Sequence, residues 1–150
     1  MFLGGGLTPV RCLGESMRPA LEPGDFLLMA SGAPPSEQAR GAIVCFRDPR
    51  NTSGRFLLKR VIGLPGESIR ASSTVFINGR LHEEPYVLLT DLSSEVEARG
   101  VNRISSGTYF VMGDNRSEST DSREFGAIPA SQIVGTIKFR YWPLTRVGKP

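Results

Sequence analysis

The chain has 150 residues and a mass of 16.3 kDa, room for one domain with its own apolar core and no need of metal or disulfide staples. Hydrophobic residues make up 39% and charged residues 22%, and the mean hydropathy of −0.14 excludes both a disordered tail and a polytopic membrane protein. The net charge of +3 comes from 15 Arg and 3 Lys against 15 acids; the arginines are scattered singly and mixed with acids, with no Lys/Arg run and no interleaved aromatics, so no nucleic-acid partner is expected.

Glycine (17) and proline (11) interrupt the chain every few residues, which long helices do not tolerate and short strands joined by tight turns do, so the predicted class is all-β. Residues 1–150 are read as a single domain. The opening MFLGGGLTPV lacks the basic start, apolar centre and small-residue cleavage site of a secretory signal. Next comes a turn-rich stretch, Gly14-Glu-Ser-Met-Arg-Pro-Ala-Leu-Glu-Pro-Gly-Asp, and then a short buried strand from Asp25 to Ala30. After the loop Ser31-Gly-Ala-Pro-Pro-Ser, a second strand is predicted over Ala42 to Phe46 and a third over Arg55 to Ile62, ended by Leu64-Pro-Gly-Glu. Ser73 to Ile77, Asn78-Gly79 and Arg80-Leu81 predict a hairpin, since Asn-Gly accepts the positive φ of a tight I′ turn. Residues from about Tyr86 to Gly107 are polar and irregular and are read as an exposed excursion. Strands return at Thr108 to Met112 and Ile133 to Tyr141, separated by a polar loop from Gly113 to Gly126; the tail after Trp142-Pro is expected to be loose.

The longest stretch free of charge runs only from Phe125 to Ile137 and contains Pro129, too short for the roughly 20 apolar residues of a spanning helix. Cys12 and Cys45 stand far apart in apolar stretches and His82 is the one histidine. They read as small core residues, and Cys and His together cannot supply a zinc site, so no metal is expected.

Two segments stand out chemically. Lys59 lies inside the apolar run Phe-Leu-Leu-Lys-Arg-Val-Ile, where desolvation would lower its pKa and make a neutral amine able to take a proton from a serine hydroxyl. The bland alternative has Lys59 and Arg60 alternating on a strand, one facing solvent and one inward. Ser16 sits between Gly14 and Pro19 in the kind of constrained turn that exposes a nucleophilic hydroxyl and frees backbone N–H groups for an oxyanion, though an ordinary surface turn has the same composition. A Ser-His-Asp arrangement would have to use His82, beside a hairpin turn and Glu83-Glu84-Pro85; serine with lysine is the better pair.

These residues together resemble the type I signal peptidases. The family's G-x-S-M-x-P-T-L segment appears as Gly14 to Leu21, its R-G-D-I-V-x-F segment as Arg40 to Phe46, and its K-R-V-I-G-L-P-G-D segment as Lys59 to Glu67. Its G-D-N-R-x-x-S-x-D-S-R-x-x-G loop is matched from Gly113 to Gly126, and Asn78-Gly79 to Glu84-Pro85-Tyr86 resembles I-N-G…E-P-Y. The resemblance implies a barrel-like all-β catalytic domain with short helical or irregular excursions, of the type shared with self-cleaving repressor peptidases. It implies Ser16 as nucleophile and Lys59 as general base, Ser119 orienting the lysine amine, Asp121 and Arg123 as a supporting ion pair, and Met17 walling small substrate pockets. The expected activity is removal of signal peptides from exported preproteins after small residues in an Ala-x-Ala-like context. No cofactor is implied, and the expected location is the extracytoplasmic face of the cell membrane.

The chain departs from the pattern at several places. Gly14 stands where some members carry a hydroxyl residue that helps bind the oxyanion, so the oxyanion would rest on backbone, chiefly the Ser16 N–H. Ala20, Ala42 and Glu67 replace the usual Thr, Asp and Asp. Only 15 residues precede Ser16, with no membrane anchor among them, which keeps open a trimmed domain, a soluble specialised processing protease of the same family, and a peptide-binding module that has lost turnover. The mild basic charge and the apolar first residues suggest association with a membrane surface.

Overall fold

The short apolar runs form strands, as the punctuation by glycine and proline predicts. A computed structural model describes residues 6–32, 39–87 and 100–150. The strands are β1 (Leu7–Arg11), β2 (Phe26–Ser31), β3 (Ile43–Arg47), β4 (Phe56–Gly63), β5 (Ser68–Ala71), β6 (Val75–Ile77), β7 (Arg80–Leu81), β8 (Asn102–Arg103), β9 (Thr108–Met112), β10 (Ile128–Pro129) and β11 (Ile133–Trp142), with one short helix, α1 (Ser122–Phe125). A seven-stranded sheet runs in the order β1-β2-β11-β3-β4-β9-β10 and a four-stranded sheet in the order β7-β6-β5-β8, all pairs antiparallel. The fold is therefore all-β as expected. Among the described residues the larger sheet is open, with β1 and β10 at its edges, so the barrel-like character does not extend to a closed barrel.

Burial follows strand position. Ile43 to Phe46 in β3 and Lys59 to Gly63 in β4 are buried without a break, because both faces of these central strands are covered. β1, at the edge, is mostly exposed and carries Pro9, a residue without an N–H to offer a ladder and so suited to an edge. That proline and the flanking glycines are why no strand is predicted there from sequence. The ten-residue β11 pairs with β2 on one side and β3 on the other, with register shifts between Ile137 and Phe139 and between Arg140 and Trp142 that bend it across the sheet. The Asn78-Gly79 hairpin forms as predicted, with φ of 50° and 78° at the two turn residues.

Three apolar clusters fill the interior. The first gathers Cys12, Met17, Leu21, Leu27, Met29, Ile43, Cys45 and Ile137. The second is built on Val44, Phe46, Val61, Tyr109, Val111, Ile128 and Ile133, and the third on Ile62, Ile69, Val75, Ile104, Phe110 and Met112. The third joins β4 and β9 of the large sheet to β5 and β6 of the small one.

Of the excursion read over 86–107, residues 100–103 and 105–107 are exposed, and the described ends also carry order: β8 pairs with β5, Ile104 is 2% exposed, and the half-buried Tyr86 lies under the Arg60 guanidinium. Residues 88–99 of that segment lie outside the described residues. One expectation is corrected: the tail after Trp142 is not loose. It makes a 3-10 turn at Leu144–Arg146 and a bridge between Arg140 and Gly148, and Arg146 pairs with the buried Asp25.

Candidate active site

Ser16 lies in the loop between β1 and β2. The loop is closed at its base by Cys12 N–H donating to the Asp25 carbonyl (2.9 Å) and Gly24 N–H to the Cys12 carbonyl (2.7 Å). Inside it, Arg18 N–H reaches the Glu15 carbonyl (3.2 Å) and Leu21 N–H the Met17 carbonyl (2.9 Å). Met17 and Leu21 are 1% and 0% exposed and belong to the first cluster. Their burial pins the turn to the core and leaves the Ser16 side chain half-buried, at the mouth of a cleft of about 870 Å³ that Lys59 also lines.

Lys59 comes from β4 and is 3% exposed. Its Nζ donates to Ser16 Oγ at 2.6 Å. The alternation reading, with one of Lys59 and Arg60 in solvent, is overturned: both are buried, and they serve different partners. Arg60 holds the Asp114 carboxylate through two bonds of 3.0 and 2.7 Å and the Gly41 carbonyl at 2.7 Å. Among the described residues Lys59 has no carboxylate partner, and burial lowers its pKa from 10.5 to about 8; the Asp121 charge opposes that fall, while Arg50 and Arg55 add to it.

The loop after β9 closes the site from the other side. Asn115 N–H donates to the Ser16 carbonyl at 2.9 Å and its Nδ2 to the Glu15 carbonyl at 3.2 Å. At Gly113 a Cβ would fall 2.2 Å from Ser119 Oγ and 2.6 Å from the Ser16 carbonyl oxygen, so only glycine allows this close approach. Asp121, fully buried, accepts from Gly113 N–H (2.9 Å) and caps α1 through Arg123 N–H (3.2 Å). The expected Asp121–Arg123 ion pair is present, with Nε to Oδ1 at 2.9 Å and Nη2 to Oδ2 at 3.0 Å. Burial works against the charge of Asp121, but Arg123, the Gly113 N–H and Ser119 outweigh it and hold the carboxyl below its ordinary pKa.

Ser119 reaches the site but not in the expected way. Its hydroxyl donates to Asp121 Oδ2 at 2.7 Å, and among the described residues the Lys59 amine is bonded to Ser16. Its proton goes to a carboxylate because a charged acceptor binds it more strongly than a neutral amine would. Met17 combines core packing with a place in the cleft wall. Gly14 is exposed on the rim, with no atom within 4 Å of the position a Cβ would take. Cys12 and Cys45 are free, buried thiols of the first cluster, with burial raising both and pushing Cys45 to about 11. His82 follows β7 in the small sheet, 3.5 Å from the Tyr86 hydroxyl, and does not line the cleft. Among the described residues no group of three or more His, Cys, Asp and Glu is placed to hold a metal, and no helix is long and apolar enough to cross a membrane.

Asn115 was not singled out from the sequence, where it is one of several polar residues in its loop. Also missed were Asp25, Arg140 and Arg146, which meet behind the Ser16 turn from distant parts of the chain.

Comparison with known proteins gives the family of the chain. Residues 4–142 match the family described as signal peptidase, peptidase S26. The chain is 34% identical to signal peptidase IB of Staphylococcus aureus, over 93% of this chain and 80% of that protein. It is 37% identical to signal peptidase I of Bacillus caldolyticus, over 87% and 76%. A crystal structure of a signal peptidase I from Enterococcus faecalis superposes with a TM-score of 0.50 at 33% identity, covering 65% of this chain and 93% of that one. The chain belongs to the signal peptidase family, peptidase S26, as a type I signal peptidase that removes signal peptides from preproteins.

Proposed function

We propose that this serine endopeptidase works through a Ser16/Lys59 dyad. The observation that carries the reading is the 2.6 Å bond from a buried lysine, without a carboxylate partner among the described residues, to a serine at the mouth of the cleft. Neutral Lys59 takes the Ser16 proton as Oγ attacks the scissile carbonyl carbon. The resulting ammonium gives that proton to the leaving amine. The regenerated amine then deprotonates a water that attacks the acyl-Ser16 ester, and the Lys59 ammonium returns that proton to Ser16 Oγ as the acyl C–O bond breaks and the acid product leaves. The Ser16 N–H has no protein acceptor among the described residues, which supports it as a donor to the oxyanion. Asp121 and Arg123 hold the loop that carries Asn115 and Ser119, and Ser119 acts on the lysine through Asp121. Met17 on the cleft wall supports selection of small side chains on the scissile side, as in Ala-x-Ala.

The test is cleavage of a synthetic preprotein peptide with an Ala-x-Ala junction. Wild type should cut it at the junction, and Ser16→Ala and Lys59→Ala should not while keeping the fold; turnover by purified Lys59→Ala refutes the dyad. Leu13 and Phe56, both exposed, flank the cleft and support contact of this rim with a membrane surface. Co-sedimentation with anionic vesicles checks this, and recovery wholly in the supernatant counts against it.

A further inference from the structure

The turn that carries Ser16 belongs to no sheet, yet its carbonyls are held from two sides. In front, Asn115 takes the Glu15 and Ser16 carbonyls. Behind, Arg140 from β11 donates through Nη1 to the Ala20 carbonyl at 2.5 Å, and Arg146 from the following 3-10 turn donates through Nη2 to the Pro19 carbonyl at 3.1 Å and the Ala20 carbonyl at 3.4 Å. The two guanidiniums share one carboxylate. Arg146 Nη1 lies 2.9 and 3.0 Å from the two oxygens of Asp25, and Arg140 Nη1 lies 3.3 Å from Oδ2. Arg140 Nε also donates to the Arg146 carbonyl. Asp25 is 2% exposed and accepts the Glu22 N–H at 2.9 Å, so it ends the same turn.

Two cations on one anion leave positive charge directed at the backbone oxygens of residues 19 and 20. These follow Ser16 by three and four residues, and Met17 between them is locked in the core. The base stands on a different element, β4, so the distance from Ser16 Oγ to Lys59 Nζ depends on where the turn rests against the sheet. We propose that Arg140 and Arg146, joined through Asp25, are positioning residues for the nucleophile: the segment after β11 sets the depth of the Ser16 turn by gripping the Pro19 and Ala20 carbonyls. The proposal rests on the Ser16/Lys59 reading.

Arg146 is the residue to change, because its side chain is 29% exposed while Asp25 and Arg140 are more deeply placed. Kinetics on the Ala-x-Ala peptide are measured across pH for wild type, Arg146→Ala, Arg146→Gln and, as a charge-matched control, the exposed Arg80→Gln, with thermal melts of each. Displacement of a reacting group by up to an ångström costs on the order of 10- to 100-fold, so kcat per folded molecule should fall by that factor in both Arg146 variants. KM should stay within about twofold, because lost positioning in the transition state is read in kcat. The pH midpoint should stay where wild type has it, since Lys59 remains buried, and guanidinium ion should restore part of kcat to Arg146→Ala. Arg146→Gln keeps most of the stem and covers the case in which the alanine variant does not fold.

Four results overturn the proposal: kcat equal to that of Arg80→Gln, a loss accounted for by the unfolded fraction, a loss confined to KM, or a raised midpoint with the wild-type plateau regained at alkaline pH. The last would mean a loosened site and not a displaced nucleophile. Activity surviving in Lys59→Ala would instead refute the dyad, so the two failures are told apart.

Discussion

Replacing Lys59 by Met should abolish turnover and stabilise the protein, and the stabilisation should depend on pH in a defined direction. The lysine is 3% exposed, has no carboxylate partner among the described residues, and its pKa falls from 10.5 to about 8 on folding. At about 1.4 kcal/mol per pKa unit, holding it charged in the folded state costs roughly 3 kcal/mol. The unfolded chain binds the proton more tightly, so the whole cost is present below pH 8 and disappears as the pH rises from about 8 to 10.5. Methionine fills the space of the lysine stem with no charge, but the variant loses the bond to Ser16, worth about 1 kcal/mol. The net gain near neutral pH is therefore about 2 kcal/mol, or roughly 4–8 °C in Tm for a chain of this length. Melts of wild type and Lys59→Met at a series of pH values measure the difference. It should shrink as wild type gains stability on alkalinisation. A methionine variant less stable than wild type at neutral pH, or an advantage that does not change with pH, would refute the reasoning.

Two further outcomes test the parts around the dyad. In Arg123→Gln the Asp121 charge loses the partner that offsets it, and since Asp121 favours the protonated lysine, the pH midpoint of kcat should rise above about 8 with the alkaline plateau retained; each unit costs about tenfold in neutral base below the midpoint, and an unmoved midpoint in folded protein would show that Arg123 does not set the lysine's charge state. Gly14→Ser meets no atom within 4 Å at its Cβ and adds a hydroxyl donor on the oxyanion side of the turn, so kcat should rise by up to about tenfold with KM and Tm little changed, read by the same peptide assay; an unchanged kcat would leave the oxyanion to backbone donors alone.

Much of this site was legible from sequence because its chemistry is carried by residues in their own short segments. A lysine in an apolar strand and a serine between glycine and proline signal themselves without knowledge of the fold, and their 2.6 Å meeting follows from the two segments being brought together. The Asn78-Gly79 hairpin was legible for the same reason: its turn conformation is a property of two residues. Local reasoning stopped at long-range closure. Asp25, Arg140 and Arg146 lie 115 and 121 residues apart in sequence, and no periodicity links a buried aspartate to an arginine in the C-terminal tail. β1 was hidden because an edge strand needs neither apolar alternation nor a full set of N–H groups. The Ser119 hydroxyl donates to Asp121, and only the geometry of the loop shows that partner.

The composition bears on the mechanism through its 15 arginines and 3 lysines. Each buried carboxylate near the cleft or its supporting loops is matched to arginine: Asp121 to Arg123, Asp114 to Arg60, Glu84 to Arg116, and Asp25 to Arg140 and Arg146. Arginine does not lose its proton at any working pH, so this framework stays charged when the proposed base Lys59 changes state, and each of these carboxylates already has an arginine partner. A lysine in the same place in a peptide-binding module would cost stability and return nothing, since methionine would pack better there. On the proposed Ser16/Lys59 reading, a buried amine bonded to a serine and without a carboxylate partner among the described residues serves turnover, and a module that had lost turnover would have no reason to keep it.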